Sequence, residues 1–222
     1  MIGFYDYTMV LTYLSLLSGC VGILASLNGD GHPYWGVCFL LFSGLCDAFD
    51  GKVARTKKDR SETEQKFGIQ IDSLSDLVAF GVLPMAIGVG MLRRSPLLHD
   101  SIVFSWILTA VMVLYTLAAM IRLAYFNVTE EERQHKEKGL IRRTYEGLPV
   151  TSAALIFPTV LLLQHLTRVD ITPLYFGVAL ITGLLFLSRI HVGKPGLRGI
   201  LIMVGVGLAE FLVMTLIRFI NH

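Results

Sequence analysis

Residues 47–76 read DAFDGKVARTKKDRSETEQKFGIQIDSLSD. Both ends of this stretch belong to long apolar runs, and its middle is crowded with Lys, Arg and Glu, which is the pattern of two membrane-spanning helices joined by a polar connection. Asp47 and Asp50 are three residues apart, and Asp72 and Asp76 four apart, so each pair lies on one face of its own helix. A short connection makes the two helices antiparallel neighbours. The four carboxylates are therefore expected to converge on one point at the edge of the membrane.

The rest of the chain agrees with that setting. At 222 residues, 54% hydrophobic, 16% charged and with a mean hydropathy of +0.63, it is neither an ordinary soluble domain, nor a disordered chain, nor a basic nucleic-acid binder. Apolar stretches at 9–27, 34–54, 69–92, 102–126, 148–166, 172–190 and 199–220 predict seven spans, each near the ~20 residues a spanning helix needs. The expected fold is all-α, a polytopic transmembrane helical bundle, with residues 1–222 forming one integral-membrane domain. No cleavable signal is read at the N-terminus, so the first span is expected to persist. Cys20, Cys38 and Cys46 stand in apolar stretches without zinc or disulfide spacing.

Sidedness follows from the basic residues. Arg55, Lys57, Lys58, Arg60, Lys66, Arg133, Lys136, Lys138, Arg142, Arg143, Arg189, Lys194 and Arg198 make thirteen on one side, against Arg93, Arg94, Arg168 and Arg218, four, on the other. Basic loops are retained in the cytoplasm. This places the N-terminus and the carboxylate cluster on the cytoplasmic side of a cell membrane, and the C-terminus outside.

Ionisable groups in apolar helices are costly and persist where they face a cavity, a partner or a metal. Four bare acids held together repel one another. Oxygen-only ligands favour a hard divalent ion, Mg²⁺ or Mn²⁺, and two ions bridged by shared carboxylates fit such a set. The competing reading has the acids pairing only with Lys52, Arg55 and Lys66 at a solvated helix end. A divalent-cation carrier is a further alternative, although carrier sites usually lie near the bilayer midplane between repeats, and no repeat is found here. No G-x-S-x-G elbow, P-loop or dinucleotide fingerprint occurs.

The stretch resembles the signature of the CDP-alcohol phosphotransferase family, D-x-x-D-G-x-x-A-R followed after a variable gap by G-x-x-x-D-x-x-x-D. Asp47, Asp50, Gly51, Ala54, Arg55, Gly68, Asp72 and Asp76 match every fixed position. The resemblance implies that Asp47, Asp50, Asp72 and Asp76 hold two divalent metals, with Asp76 also the general base. It implies a CDP-binding set of Asp50, Gly51, Ala54, Arg55, Gly68 and Asp72, in which the small residues accommodate the cytidine and Arg55 lies near the phosphates. It further implies a six-helix core, to which the seventh span is an addition, and a homodimer.

Within the family, FGIQIDSLSDLVAFGVLP at 67–84, RLAYFN at 122–127 and YEGLPVTSAA at 145–154 look most like the branch that transfers a phosphatidyl group from CDP-diacylglycerol to L-serine. Inositol phosphate and glycerol 3-phosphate are the alternative acceptors. The chain departs from relatives in the twelve-residue gap Thr56 to Phe67, in Ser15 and Ser18-Gly19 of the first span, and in Thr151. A serine acceptor brings a carboxylate that needs a cation. Arg122, deep in an apolar span, is the first candidate, its alternative being a partner across the bundle. Arg142, Arg143 and Lys194 at the inner boundary suit phosphate, acceptor or lipid headgroups.

Overall fold

The computed structural model describes residues 3–28, 33–95, 102–136, 144–167, 170, 172–193 and 197–220. Arg142, Arg143 and Lys194 lie outside the described residues, as do Lys138 and Arg168 of the charge count. The helices are α1 (Val10–Leu27), α2 (Pro33–Ala54), α3 (Glu62–Asp76), α4 (Leu83–Arg94), α5 (Ile102–Lys136), α6 (Ala153–Thr167), α7 (Thr172–Phe186) and α8 (Leu197–Ile220). A π-helical segment, Leu77–Val82, joins α3 to α4, so the expected third span is one continuous rod from Glu62 to Arg94. The chain is the polytopic helical membrane bundle that the sequence implies. Tyr7–Leu27, Glu62–Arg94 and Ile102–Glu132 are long and apolar enough to cross a membrane, and Val150–Gln164, Thr172–Phe186 and Leu201–Val213 are shorter apolar helices.

Two boundaries differ from the hydropathy reading. The third helix begins at Glu62 and not near 69, because Ser61 and Glu64 form a reciprocal capping box, with Glu64 N–H donating to Ser61 Oγ at 3.1 Å and Ser61 N–H to Glu64 Oε2 at 2.9 Å. Such a box satisfies two of the amide groups a helix start leaves unpaired. The polar connection therefore shrinks to Arg55–Ser61. The fifth helix runs on to Lys136, through charged residues of good helix propensity. At 35 residues and ~1.5 Å rise per residue, it outreaches the ~30 Å hydrocarbon layer.

Packing in lipid depends on close backbone approach and interhelical hydrogen bonds. Between α1 and α2, Ser43 Oγ donates to the Ser15 carbonyl at 3.1 Å, and Ser18 Oγ to the Phe39 carbonyl at 2.8 Å. Ser15 Oγ also donates to the Ser43 carbonyl at 3.5 Å, so the serines that depart from the family pattern tie these two helices together. A Cβ on Gly90 would stand 2.7 Å from the Ser26 carbonyl, so only glycine lets α4 approach α1 there. The core centres on aromatic rings from α5, α6 and α7: Tyr115 lies 5.4 Å from Phe157 and 5.5 Å from Phe186, and Phe157 lies 4.9 Å from Tyr175.

A short antiparallel ribbon, β1 (Thr144–Glu146) with β2 (His191–Gly193), supplements the helices. It continues through Gly147 N–H to the Ile190 carbonyl at 2.7 Å and Leu148 N–H to the Leu185 carbonyl at 3.2 Å. Gly147 has φ +75°, and a Cβ there would meet the Phe186 carbonyl at 2.8 Å. Both conditions demand glycine. The ribbon fixes the entry to the turn Val150–Ser152, which borders the site.

Candidate active site

The two helices of the signature bring three of the four acids together. One carboxylate oxygen from each of Asp47, Asp50 and Asp72 lies within 4.8 Å of the others. Asp50 also accepts from Thr12 Oγ1 at 3.4 Å, and Ser75 Oγ donates to the Thr12 carbonyl at 3.1 Å, so α1 braces both signature helices. Asp76 is buried and stands apart from that trio. It lines the same cavity as Asp47 and Asp72.

Of the cations offered by the sequence as mere ion-pair partners, Lys52 and Lys66 are engaged elsewhere. Lys66 Nζ pairs with Glu62 at 3.0 Å, and Lys52 Nζ lies 5.0 Å from the centre of the Phe49 ring. The Arg55 guanidinium lies along Gly51, where a Cβ would stand 3.5 Å from Nη1. Three convergent carboxylates with an all-oxygen donor set fit a hard divalent cation. Asp47, Asp50 and Asp72 would hold it.

The cavity measures about 690 Å³. Its polar lining comes from Asp47, Asp72, Asp76 and Arg122, with Thr151 and Ser152 of the turn before α6. Its walls are apolar: Leu41, Phe42 and Leu45 of α2, Leu123 and Phe126 of α5, Leu155 of α6, and Met203, Val204, Leu208 and Phe211 of α8. Arg122 is buried, with its guanidinium carbon 5.4 Å from the centre of the Phe126 ring. A Cβ on Gly147 would lie 3.3 Å from Arg122 Nε, so the ribbon glycine also makes room for this side chain. Asn127 Nδ2 donates to Ser73 Oγ at 2.8 Å, which ties α5 to α3 beside Asp72.

Three participants escape the sequence reading. Thr12 is a short polar residue without a motif, and Ser152 lies in the 145–154 stretch without being singled out there. Ser152 Oγ is buried with no hydrogen-bond partner among the described residues. Arg60, in the charged connection, packs on Gly68: a Cβ there would stand 2.7 Å from Arg60 Nη2.

Paired acids on antiparallel membrane helices thus share one cavity with a buried arginine and apolar walls. The chain belongs to the CDP-alcohol phosphatidyltransferase family, whose model matches residues 7–188. Among curated proteins it is similar to the CDP-diacylglycerol–serine O-phosphatidyltransferase of Helicobacter pylori strain J99, at 29% identity over 77% of this chain and 66% of that protein. It is likewise similar to the Saccharomyces cerevisiae protein of the same name, at 31% identity over 65% of this chain and 50% of that one. The archaetidylserine synthase of Methanothermobacter thermautotrophicus is 31% identical over 66% of this chain and 53% of its own length. The matches thus span two thirds or less of each of these relatives.

Proposed function

We propose that this protein transfers the phosphatidyl group of CDP-diacylglycerol to the hydroxyl of L-serine, giving phosphatidylserine and CMP. The observation that carries this reading is the single cavity in which the carboxylate cluster, the buried Arg122 and apolar walls from four helices meet. A diphosphate-linked lipid needs all three. Two bound Mg²⁺ or Mn²⁺ ions, held by Asp47, Asp50 and Asp72 with Asp76 at the margin, would neutralise the diphosphate for in-line displacement.

The chain's own residues supply the rest. The serine hydroxyl oxygen attacks the phosphorus nearer the lipid while Asp76 takes its proton, the P–O bond to CMP breaks, and CMP leaves with that electron pair. Arg122 holds the serine carboxylate as a charge-assisted pair, and Ser152 Oγ supplies a hydroxyl beside it. Gly51, Ala54 and Gly68 leave room for the cytidine, and Arg55 meets its phosphates. The excess of basic residues beside the cluster supports a cytoplasmic opening. The relatives bearing serine transferase names favour serine over the phosphorylated acceptors, and a homodimer is carried over from the family.

The test is CMP release by purified protein given CDP-diacylglycerol and Mg²⁺ or Mn²⁺ with L-serine, inositol phosphate or glycerol 3-phosphate in separate reactions. Release with serine alone is expected. Release with another acceptor alone would overturn the serine assignment, and replacing the donor by its diether analogue asks which lipid class is taken. Light scattering of the detergent-solubilised chain checks the dimer.

A further inference from the structure

Within the largely exposed connection between α2 and α3, Lys57 and Arg60 are half-buried and held in place. Asp6 takes an ion pair from Lys57 Nζ at 2.7 Å, Lys57 also reaches Glu64 at 3.2 Å, and the Phe4 and Phe67 rings meet at 5.4 Å. Tyr7 Oη lies 3.2 Å from Thr56 Oγ1. The N-terminal segment therefore straps the connection down against the start of α3. Arg60 lies within this strap, half-buried, between Met9 and Gly68: Nη2 is 4.0 Å from Met9 Sδ, and a Cβ on Gly68 would clash with it at 2.7 Å.

Gly68 and Asp72 are four residues apart on one face of α3, so Arg60 packs against the turn of α3 that precedes Asp72. It lies on the side leading out of the membrane span. Its contacts are few and weak. Nη2 donates to the Glu64 carbonyl at 3.4 Å, and Nε is buried with no partner among the described residues. A guanidinium has five N–H donors in a rigid fork, and most of that capacity is unspent here.

We propose that Arg60 reads the base of the nucleotide, donating to the adjacent O2 and N3 acceptors of cytosine. The inference rests on the donor reading above: with the phosphates at the carboxylate cluster, the nucleoside extends outward along α3 and reaches the Gly68 turn. Cytosine offers two neighbouring acceptors to a forked donor, as guanine does through O6 and N7. Uracil offers O2 but carries a hydrogen on N3, which meets the fork as donor against donor. Arg60 would thus set the preference for a cytidine over a uridine donor. Arg55, lying along Gly51, is left to the phosphates.

The experiment is calorimetric binding of CMP and of UMP, with Mn²⁺, to the full chain in detergent, for wild type, Arg60→Gln and Arg60→Lys. Wild type should bind CMP more tightly than UMP by about tenfold or more, and R60Q should lose most of that ratio through weaker CMP binding alone. R60K keeps the charge and loses the fork, so it carries the same comparison should R60Q not fold, with the ratio again reduced. Equal weakening of CMP and UMP would make Arg60 a phosphate contact and overturn the inference, as would an unchanged ratio with lowered melting temperature, the mark of a purely structural strap. Wild type that binds neither nucleotide would instead overturn the donor reading itself.

Discussion

Asp76 follows Asp72 by one helical turn, yet only Asp72 joins Asp47 and Asp50 within 4.8 Å. That separation suits a division of labour in which Asp76 keeps an oxygen free for the acceptor hydroxyl. Asp76→Asn should therefore lower turnover by about two to four orders of magnitude, the usual worth of a general base, and leave CMP affinity unchanged. Asp72→Asn should instead weaken Mn²⁺ binding, followed by electron paramagnetic resonance. Equal loss of Mn²⁺ binding in both variants would make Asp76 a ligand and not the base. At the other end of the strap, the Lys57 ammonium, with help from Thr8, holds the Asp6 carboxyl down at about 2, against its ordinary 3.8. A depressed carboxylate stabilises the fold above its unfolded value, and that contribution fades as pH falls through the folded one. Asp6→Asn should thus lower the melting temperature slightly at neutral pH, since ion pairs near the surface contribute little. The gap from wild type should close between pH 4 and pH 2, taking the values of the two states as limits. A gap that persists at pH 2 would assign the effect to something other than the ion pair.

At the scale of the element, the π-helical segment Leu77–Val82 is the feature that decides where the signature helix goes after Asp76. Leu83 N–H reaches back five residues to the Val78 carbonyl, and Pro84 has no N–H to give. The Phe80 carbonyl accepts instead from Tyr115 Oη at 2.6 Å, and the Gly81 carbonyl from Thr116 Oγ1 at 3.1 Å. In lipid an orphaned carbonyl finds no water. Tyr115→Phe should cost about 1–3 kcal/mol, the penalty for a buried group left unsatisfied, read as a lower midpoint in thermal unfolding with the ring packing kept. A neutral result would mean that the π segment relaxes to satisfy itself. The sequence shows Phe80 and Tyr115, but nothing local says that the carbonyl of one meets the hydroxyl of the other 35 residues along the chain. The two Asp pairs were legible because helical periodicity alone puts i, i+3 and i+4 on one face, whereas of the four acids expected to converge the structure brings Asp47, Asp50 and Asp72 within 4.8 Å. The early start of α3 was legible too, in Ser61 and Glu64, although hydropathy passes over a cap made of polar residues. Thr12, Ser152 and the placing of Arg60 on Gly68 depend on how separate elements pack, which no local pattern carries.

At the scale of the molecule, α8 raises the largest question, because it lies beyond residues 7–188, the span of the family match, and yet forms a wall of the site cavity. Met203, Val204, Gly207, Leu208 and Phe211 face that space. Two polar contacts hold the helix in place: Thr159 Oγ1 of α6 donates to the buried Glu210, and Tyr34 Oη of α2 donates to Thr215 Oγ1 at 3.2 Å. A buried carboxylate within an apolar helix is costly, so a helix fastened in this way has a definite place in the fold. Gly207 marks the narrow point, where a Cβ would touch Leu155 and Leu41 side chains at 3.5 Å each. A methyl fits there, and anything longer must enter the cavity between α2 and α6. Gly207→Leu should therefore raise KM for a long-chain donor by about tenfold, within the range that overpacking costs. It should leave CMP affinity intact, because Gly207 packs against Leu155 and Leu41 and not against the carboxylates, and a short-chain donor should recover most of the lost activity. If long and short donors suffer alike, α8 only supports the bundle. If only the long donor suffers, the added helix shapes the space for the lipid tail.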